Sequence, residues 1–178
     1  MCHFVHASLG MDDIEADIDK LAEKLGQMLK AQGQILALAE SCTGGMAAAA
    51  ITSVAGSSAW FDRGFVTYSN LAKMEMLSVS VTTLEKFGAV SEQTAVEMAT
   101  GALKNSQASM AGSITGIAGP TGGSVEKPVG TVCFAWTHAD GRLKCSTQLF
   151  SGDRAQIRHQ ATAHMLHGLM KMLAKSTD

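Results

Sequence analysis

Four side chains in this sequence have the types and spacing for nucleophilic and acid–base chemistry: Ser41, Cys42, Tyr68 and Lys73. The stretch AESCTGG, at 39–45, puts a carboxylate, a hydroxyl, a thiol, a second hydroxyl and two glycines into one short turn. Ser41 becomes a nucleophile once a base takes its proton, and Cys42 becomes one as a thiolate favoured by the positive end of a helix. The same residues also fit a plain helix start. Thr43 or Ser41 can cap through its hydroxyl, Cys42 can fill core space, and the N–H groups around Gly44 and Gly45 can meet an anion. The turn matches neither the phosphate loop GxxxxGKS/T nor GxGxxG, and it lacks the GxSxG of a nucleophile elbow. Taken alone it is balanced between a cap and a site.

A second turn, TYSNLAK at 67–73, holds the sole tyrosine, Tyr68, with Lys73 five residues later. A partly desolvated lysine loses its proton near neutral pH and can act as a base, and a phenol beside it can relay a proton or donate to an oxyanion. Singly, each has a simpler reading: a tyrosine at the core edge and a solvated lysine. The third turn, TGIAGPTGG at 115–123, is too rich in glycine for an ordinary short connection. With Thr115, Gly116, Gly119 and Gly122 it lets backbone N–H groups approach a phosphate, a ribose or a developing oxyanion. Arg154 is a further candidate for an anionic group, with a solvated charge as its ordinary role. His159, His164 and His167 share the last helix; only the last two are three apart, and surface histidines outweigh a metal site there.

These turns need elements to hold them. Apolar residues recur at helical spacing over 12–31, and Gly33 ends that run. QILALAE reads as a buried strand, and GGMAAAAITSVA as a helix whose alanines allow close packing. A strand is expected at 64–69, a short helix from Asn70, and a second short helix with Thr82 and Glu85 at capping-box spacing and Gly88 as its stop. An amphipathic helix with Ala95, Met98, Ala102 and Leu103 inward follows, then the strand MAGSITG. Two strands around Asp140-Gly141 form a hairpin. The last helix carries the stripe Ile157, Ala161, Met165, Leu169 and Leu173. Helices alternating with buried strands predict a three-layer α/β/α sandwich with a mostly parallel mixed sheet. Ligands of such sheets sit beyond the carboxyl ends of the strands, where all three turns fall, so the turns are expected to converge on one pocket.

Composition sets the outer bounds. The chain has 178 residues, 46% hydrophobic and 17% charged, which fits one globular domain over 11–178 and excludes a disordered chain. Residues 1–10 read as a loose extension, with Met11 a possible start. A net charge of −2 carries no footprint for nucleic acid. No secretory leader and no apolar run long enough to span a membrane is seen, and four cysteines without a CxxC pair suit a reducing cytoplasm. The eleven methionines are mostly core filler.

Together AESCTGG, GSSAWFDRGFVTYSNLAK, GAVSEQTAVEMATGAL, SITGIAGPTGG and KPVGTVCFAW are collinear with, and resemble, the CinA C-terminal domain family in its stand-alone form, over roughly residues 12–175. The resemblance implies a bacterial cytoplasmic amidohydrolase that converts nicotinamide mononucleotide to nicotinate mononucleotide and ammonia, without metal or cofactor, as a homodimer or higher homo-oligomer. It implies Ser41, Tyr68 and Lys73 as the catalytic group. Thr43, Gly44, Gly45, Thr115, Gly116, Gly119, Gly122 and Arg154 are then the candidates for holding substrate. Leu71 stands where the family commonly has Glu. Fused members of the family carry a further N-terminal domain linked to ADP-ribose pyrophosphatase activity, which a chain of this length is expected to lack. Two other classes remain as expectations to be tested. One is a non-catalytic nucleotide- or partner-binding module. The other is a short-chain reductase, which the poor fit of AESCTGG to a dinucleotide turn disfavours.

Overall fold

The computed structural model describes residues 18–174; the expected extension at 1–10, the alternative start at Met11 and the beginning of the first helix lie outside them. The elements run α1 (Ile18–Ala31), β1 (Leu36–Glu40), α2 (Met46–Thr52), β2 (Phe61–Val66), α3 (Asn70–Leu77), α4 (Val81–Phe87), α5 (Glu92–Lys104), β3 (Met110–Gly116), β4 (Thr131–His138), β5 (Leu143–Leu149) and α6 (Arg154–Ala174). The sheet order is β2-β1-β3-β4-β5. β1 pairs in parallel with β2 and β3, while β4 is antiparallel to both β3 and β5, so β4 alone runs against the rest. This is the mixed, mostly parallel sheet expected.

Alternation along the strands sorts the core into two halves, because successive side chains of a strand point to opposite faces. Leu36 and Leu38 of β1, Met110 and Ile114 of β3, and Val132, Phe134 and Trp136 of β4 pack with α1, α2 and α6. Ala37, Ala39 and Ala111 face the other way, onto a layer built on Leu77, Leu84, Met98 and Ala102, with Cys133 and Ala135 beside Ala95 and Ala99. The small strand residues on that face let α5 lie close to the sheet. The apolar stripe expected on α6 is buried at all five positions.

Two local expectations need correction. β2 begins at Phe61, three residues before the expected start, and ends at Val66, so Tyr68 lies in the turn beyond the strand. Helix α4 is not opened by a Thr82–Glu85 box. Ser80 is its N-cap without a side-chain cap bond, and Glu97 of α5 takes the Ser80 N–H at 2.7 Å and the Thr83 hydroxyl at 2.5 Å. A carboxylate on the neighbouring helix thereby holds the start of α4 through the Ser80 N–H and the Thr83 hydroxyl. Gly88 does end the helix. The Asp140-Gly141 turn joins β4 and β5, with Gly141 N–H donating to the His138 carbonyl at 3.0 Å.

Candidate active site

The alternation of β1 continues past its end and decides where the AESCTGG residues point. Glu40 follows Leu36 and Leu38 toward α2, whereas Ser41 follows Ala37 and Ala39 toward α3. Ser41 is held by the sheet: its N–H donates to Ile114 O of β3 at 2.9 Å, and its carbonyl accepts from Gly44 N at 3.0 Å. On the next turn, Thr67 N–H donates to Glu40 O at 2.8 Å. Strand pairing therefore fixes both the serine and the Thr67 carbonyl.

Helix α3 delivers the lysine. Ser69 caps it, its hydroxyl accepting from Ala72 N at 3.0 Å, and Lys73 then lies one turn in, facing the sheet. Lys73 is 1% exposed. Its Nζ is 3.0 Å from Ser41 Oγ and 2.8 Å from Thr67 O. Burial pulls its pKa down from the ordinary 10.5, while the neighbouring Cys42 pushes weakly the other way. A neutral amine here spends one N–H on the Thr67 carbonyl and can turn its lone pair to the serine hydroxyl. Cys42 lines the same cleft but faces the α1/α2/α6 core. Burial pushes its thiol up to about 11, which disfavours the thiolate that nucleophilic attack needs.

The three turns converge as their positions implied. A cleft of about 280 Å³ is lined by Ser41, Cys42, Tyr68, Asn70, Lys73, Thr115–Gly119, Thr121, Gly122 and Arg154, with Ala89 and Val90 from the loop before α5. Tyr68 is 62% exposed and makes its hydrogen bond to Arg154, Nη2 to the phenol oxygen at 3.0 Å, rather than to Ser41 or Lys73. Arg154 Nη1 also donates to Gly119 O at 2.8 Å, tying the tyrosine wall to the glycine-rich loop. Thr115 is buried, and its hydroxyl donates to Ala89 O at 2.7 Å. Gly116 permits a close crossing: a Cβ there would stand 2.7 Å from Thr131 O and 2.8 Å from Val132 Cα of β4. Gly119 has φ +76°, in the left-handed region, with its Cα against Val129. Leu71 is exposed and stands outside the cleft lining.

Thr43, Gly44 and Gly45 are placed elsewhere. Thr43 is fully buried, and its hydroxyl has no hydrogen-bond partner among the described residues, so neither it nor Ser41 is the cap of α2. Glu40 takes that role, accepting from Gly45 N at 3.0 Å, Ala47 N at 3.2 Å and Ala48 N at 2.8 Å. An internal carboxylate already fills the helix start where an anion was expected. Arg158, one turn after Arg154, donates to Thr43 O at 2.7 Å from the opposite side. Neither Glu40 nor Arg158 was assigned a role from the sequence; continuing the period-two alternation of β1 would have turned Glu40 toward α2. The last-helix histidines do not assemble a site. His164 packs on Phe134, Trp136 and Phe150, and no cluster of three metal-ligating side chains occurs among the described residues. No helix among them is long and apolar enough to cross a membrane.

A serine and a buried lysine amine in hydrogen-bond contact lie at the strand ends of a three-layer α/β domain, an arrangement whose chemistry suits acyl transfer. The chain belongs to the CinA C-terminal domain family, whose model matches residues 18–173. It is 54% identical over 163 residues to the nicotinamide-nucleotide amidohydrolase PncC of Escherichia coli K12, covering 92% of this chain and 99% of that protein. A CinA-like protein of Syntrophobacter fumaroxidans is 46% identical over 176 residues, 98% of this chain but 41% of that longer one. Among solved structures, the competence/damage inducible protein CihA of Agrobacterium tumefaciens superposes with a TM-score of 0.86 at 46% identity, covering 88% of this chain and 95% of that one.

Proposed function

We propose that this chain is a nicotinamide-nucleotide amidohydrolase, releasing ammonia from the carboxamide of nicotinamide mononucleotide and leaving nicotinate mononucleotide. The observation that carries the reading is the buried Lys73 amine 3.0 Å from the Ser41 hydroxyl, in a chain so similar to curated enzymes of that name.

Lys73, in the neutral form that burial favours, takes the Ser41 proton directly as Oγ attacks the carboxamide carbon. The cationic pyridinium of the substrate makes that carbon more electrophilic. Backbone N–H groups near Ser41 or in the Thr115–Gly116 loop meet the oxyanion in this reading, each such donor being worth about 3–4 kcal/mol in other enzymes. The tetrahedral adduct collapses as the Lys73 ammonium returns its proton to the leaving nitrogen, giving ammonia and a Ser41 ester. Water, deprotonated by Lys73, cleaves that ester and restores the hydroxyl. Tyr68, on the open side of the cleft, orders the substrate with Arg154, and the phosphate lies against Arg154 and the loop of Gly119 and Gly122. The start of α2 is left out of this assignment because Glu40 occupies it.

The enzyme is read as cytoplasmic, supported by the buried reduced thiols of Cys42 and Cys133, and as a homodimer or higher assembly, supported by the family likeness and testable by light scattering. The activity is tested by incubating the purified chain with nicotinamide mononucleotide and following ammonia and nicotinate mononucleotide. Stoichiometric appearance of both is expected. Binding without turnover would favour a non-catalytic module.

A further inference from the structure

Glu40 is almost wholly buried (1% exposed), and its three hydrogen-bond partners are all backbone N–H groups from Gly45, Ala47 and Ala48. A helix start is ordinarily capped by the residue at the cap position itself. Here that residue is Gly45, with φ 95° and no side chain to offer. The carboxylate comes instead from five residues earlier and reaches across the turn, closing residues 40–45 into a ring that contains the nucleophile candidate. Ser41 is thus anchored at three points. Its own N–H is bonded to β3, its carbonyl receives Gly44 N–H, and the residue before it is tied to α2. Arg158 holds the same ring at the Thr43 carbonyl. Because adjacent strand residues face opposite sides, rotation of Glu40 in its cap would carry Ser41 Oγ away from Lys73 Nζ.

We propose that Glu40 is a positioning residue: by clamping the start of α2 it holds Ser41 Oγ against the Lys73 amine, and it takes no part in binding substrate. Glutamine at this position has the size of glutamate but turns an NH2 group toward backbone donors, so it cannot keep all three bonds. A misplacement of the order of 1 Å costs about a hundredfold in rate.

The test is Glu40→Gln in the full chain, read in two ways. Steady-state ammonia release should show kcat down about a hundredfold with KM within about twofold of wild type. The crystal structure of the variant, needing no substrate, should show the Ser41 Oγ to Lys73 Nζ separation opened beyond about 3.5 Å. An unchanged kcat in a folded variant, a raised KM at constant kcat, or an unchanged Ser41–Lys73 separation overturns the proposal. If Glu40→Gln does not fold, Ala48→Pro removes the shortest of the three donors and leaves the carboxylate, in the first turn of α2, where the lost N–H has no partner within the helix. It should give the same kcat-selective loss, and wild-type kinetics from it would likewise overturn the clamp. The kinetic arm rests on the amidohydrolase reading and the crystallographic arm does not. An inactive wild type whose Glu40→Gln form shows the opened contact counts against that reading and for the clamp.

Discussion

Ser41 and Lys73 are 32 positions apart in sequence, yet Oγ and Nζ stand 3.0 Å apart inside the protein. The lysine is tolerated there because its amine meets two oxygens, Ser41 Oγ and Thr67 O, both set by the strand ends on either side of the β1–β2 pair. Burial penalises the charged form of this enclosed side chain, and so favours the neutral amine that a general base must be.

The pH profile follows from that. Lys73 binds its proton less tightly than a free lysine because burial penalises the ammonium, and only the neutral form can accept the Ser41 proton. Activity should therefore rise with pH along an acid limb whose midpoint lies below the ordinary 10.5, and fall as pH drops through it. A kcat/KM profile measured across acid and neutral pH checks this; a flat profile contradicts a lysine base.

Cys42 should be dispensable for chemistry. Its thiol, pushed up to about 11 by burial, is protonated at neutral pH. Cys42→Ala should keep turnover within about threefold while losing about 1 kcal/mol of stability through the small cavity left. Ammonia release together with urea denaturation measures both.

Helix α3 carries Lys73, and its last residue lies against α5. A Cβ at Gly101 would fall 2.0 Å from Leu77 O and 2.8 Å from its carbonyl carbon. Gly101→Ala should push α3 outward, destabilising the fold by about 1–3 kcal/mol and lowering kcat because Lys73 moves with the helix. Thermal unfolding and turnover of one sample suffice, and an unchanged melting temperature would show that α5 does not set the position of α3.

His164 supplies a stability switch away from the cleft. Burial among Phe134, Trp136 and Phe150, helped by the charges of Lys171 and His167, lowers its pKa from 6.5 to about 4. The unfolded chain thus binds the proton more tightly than the folded one. The stabilisation is complete above about 6.5 and is lost as pH falls from there toward 4, up to about 3 kcal/mol in all. Urea midpoints at pH 7.5 and 5 should differ, and His164→Leu should shrink the difference.

Much of this was legible in the sequence because it rests on short-range rules. The apolar stripe of α6, the buried run of β1 and the glycine-marked helix ends each follow from periodicity or backbone freedom. The convergence of the three turns follows from placing them all after strands. What was not legible depends on contacts between distant segments. The start of β2 is set by the pairing of Phe61 with Leu36, not by a local signal. Thr43 has the hydroxyl of a cap, but the longer Glu40 side chain reaches the α2 donors first and leaves Thr43 buried. Tyr68 is five positions before Lys73 in sequence, yet its hydroxyl partner is Arg154, 86 positions away. Arg158 is distinguished from Arg154 only by one helical turn, which points it at the Thr43 carbonyl instead of the cleft.

The central claim is that Ser41 attacks and Lys73 takes its proton. The most direct measurement is ammonia release from nicotinamide mononucleotide by Ser41→Ala and Lys73→Met beside the wild type, with folding confirmed for each. Both variants should lose at least about a thousandfold in kcat, as expected for a missing nucleophile and a missing general base. Near-wild-type turnover by either one would contradict the account.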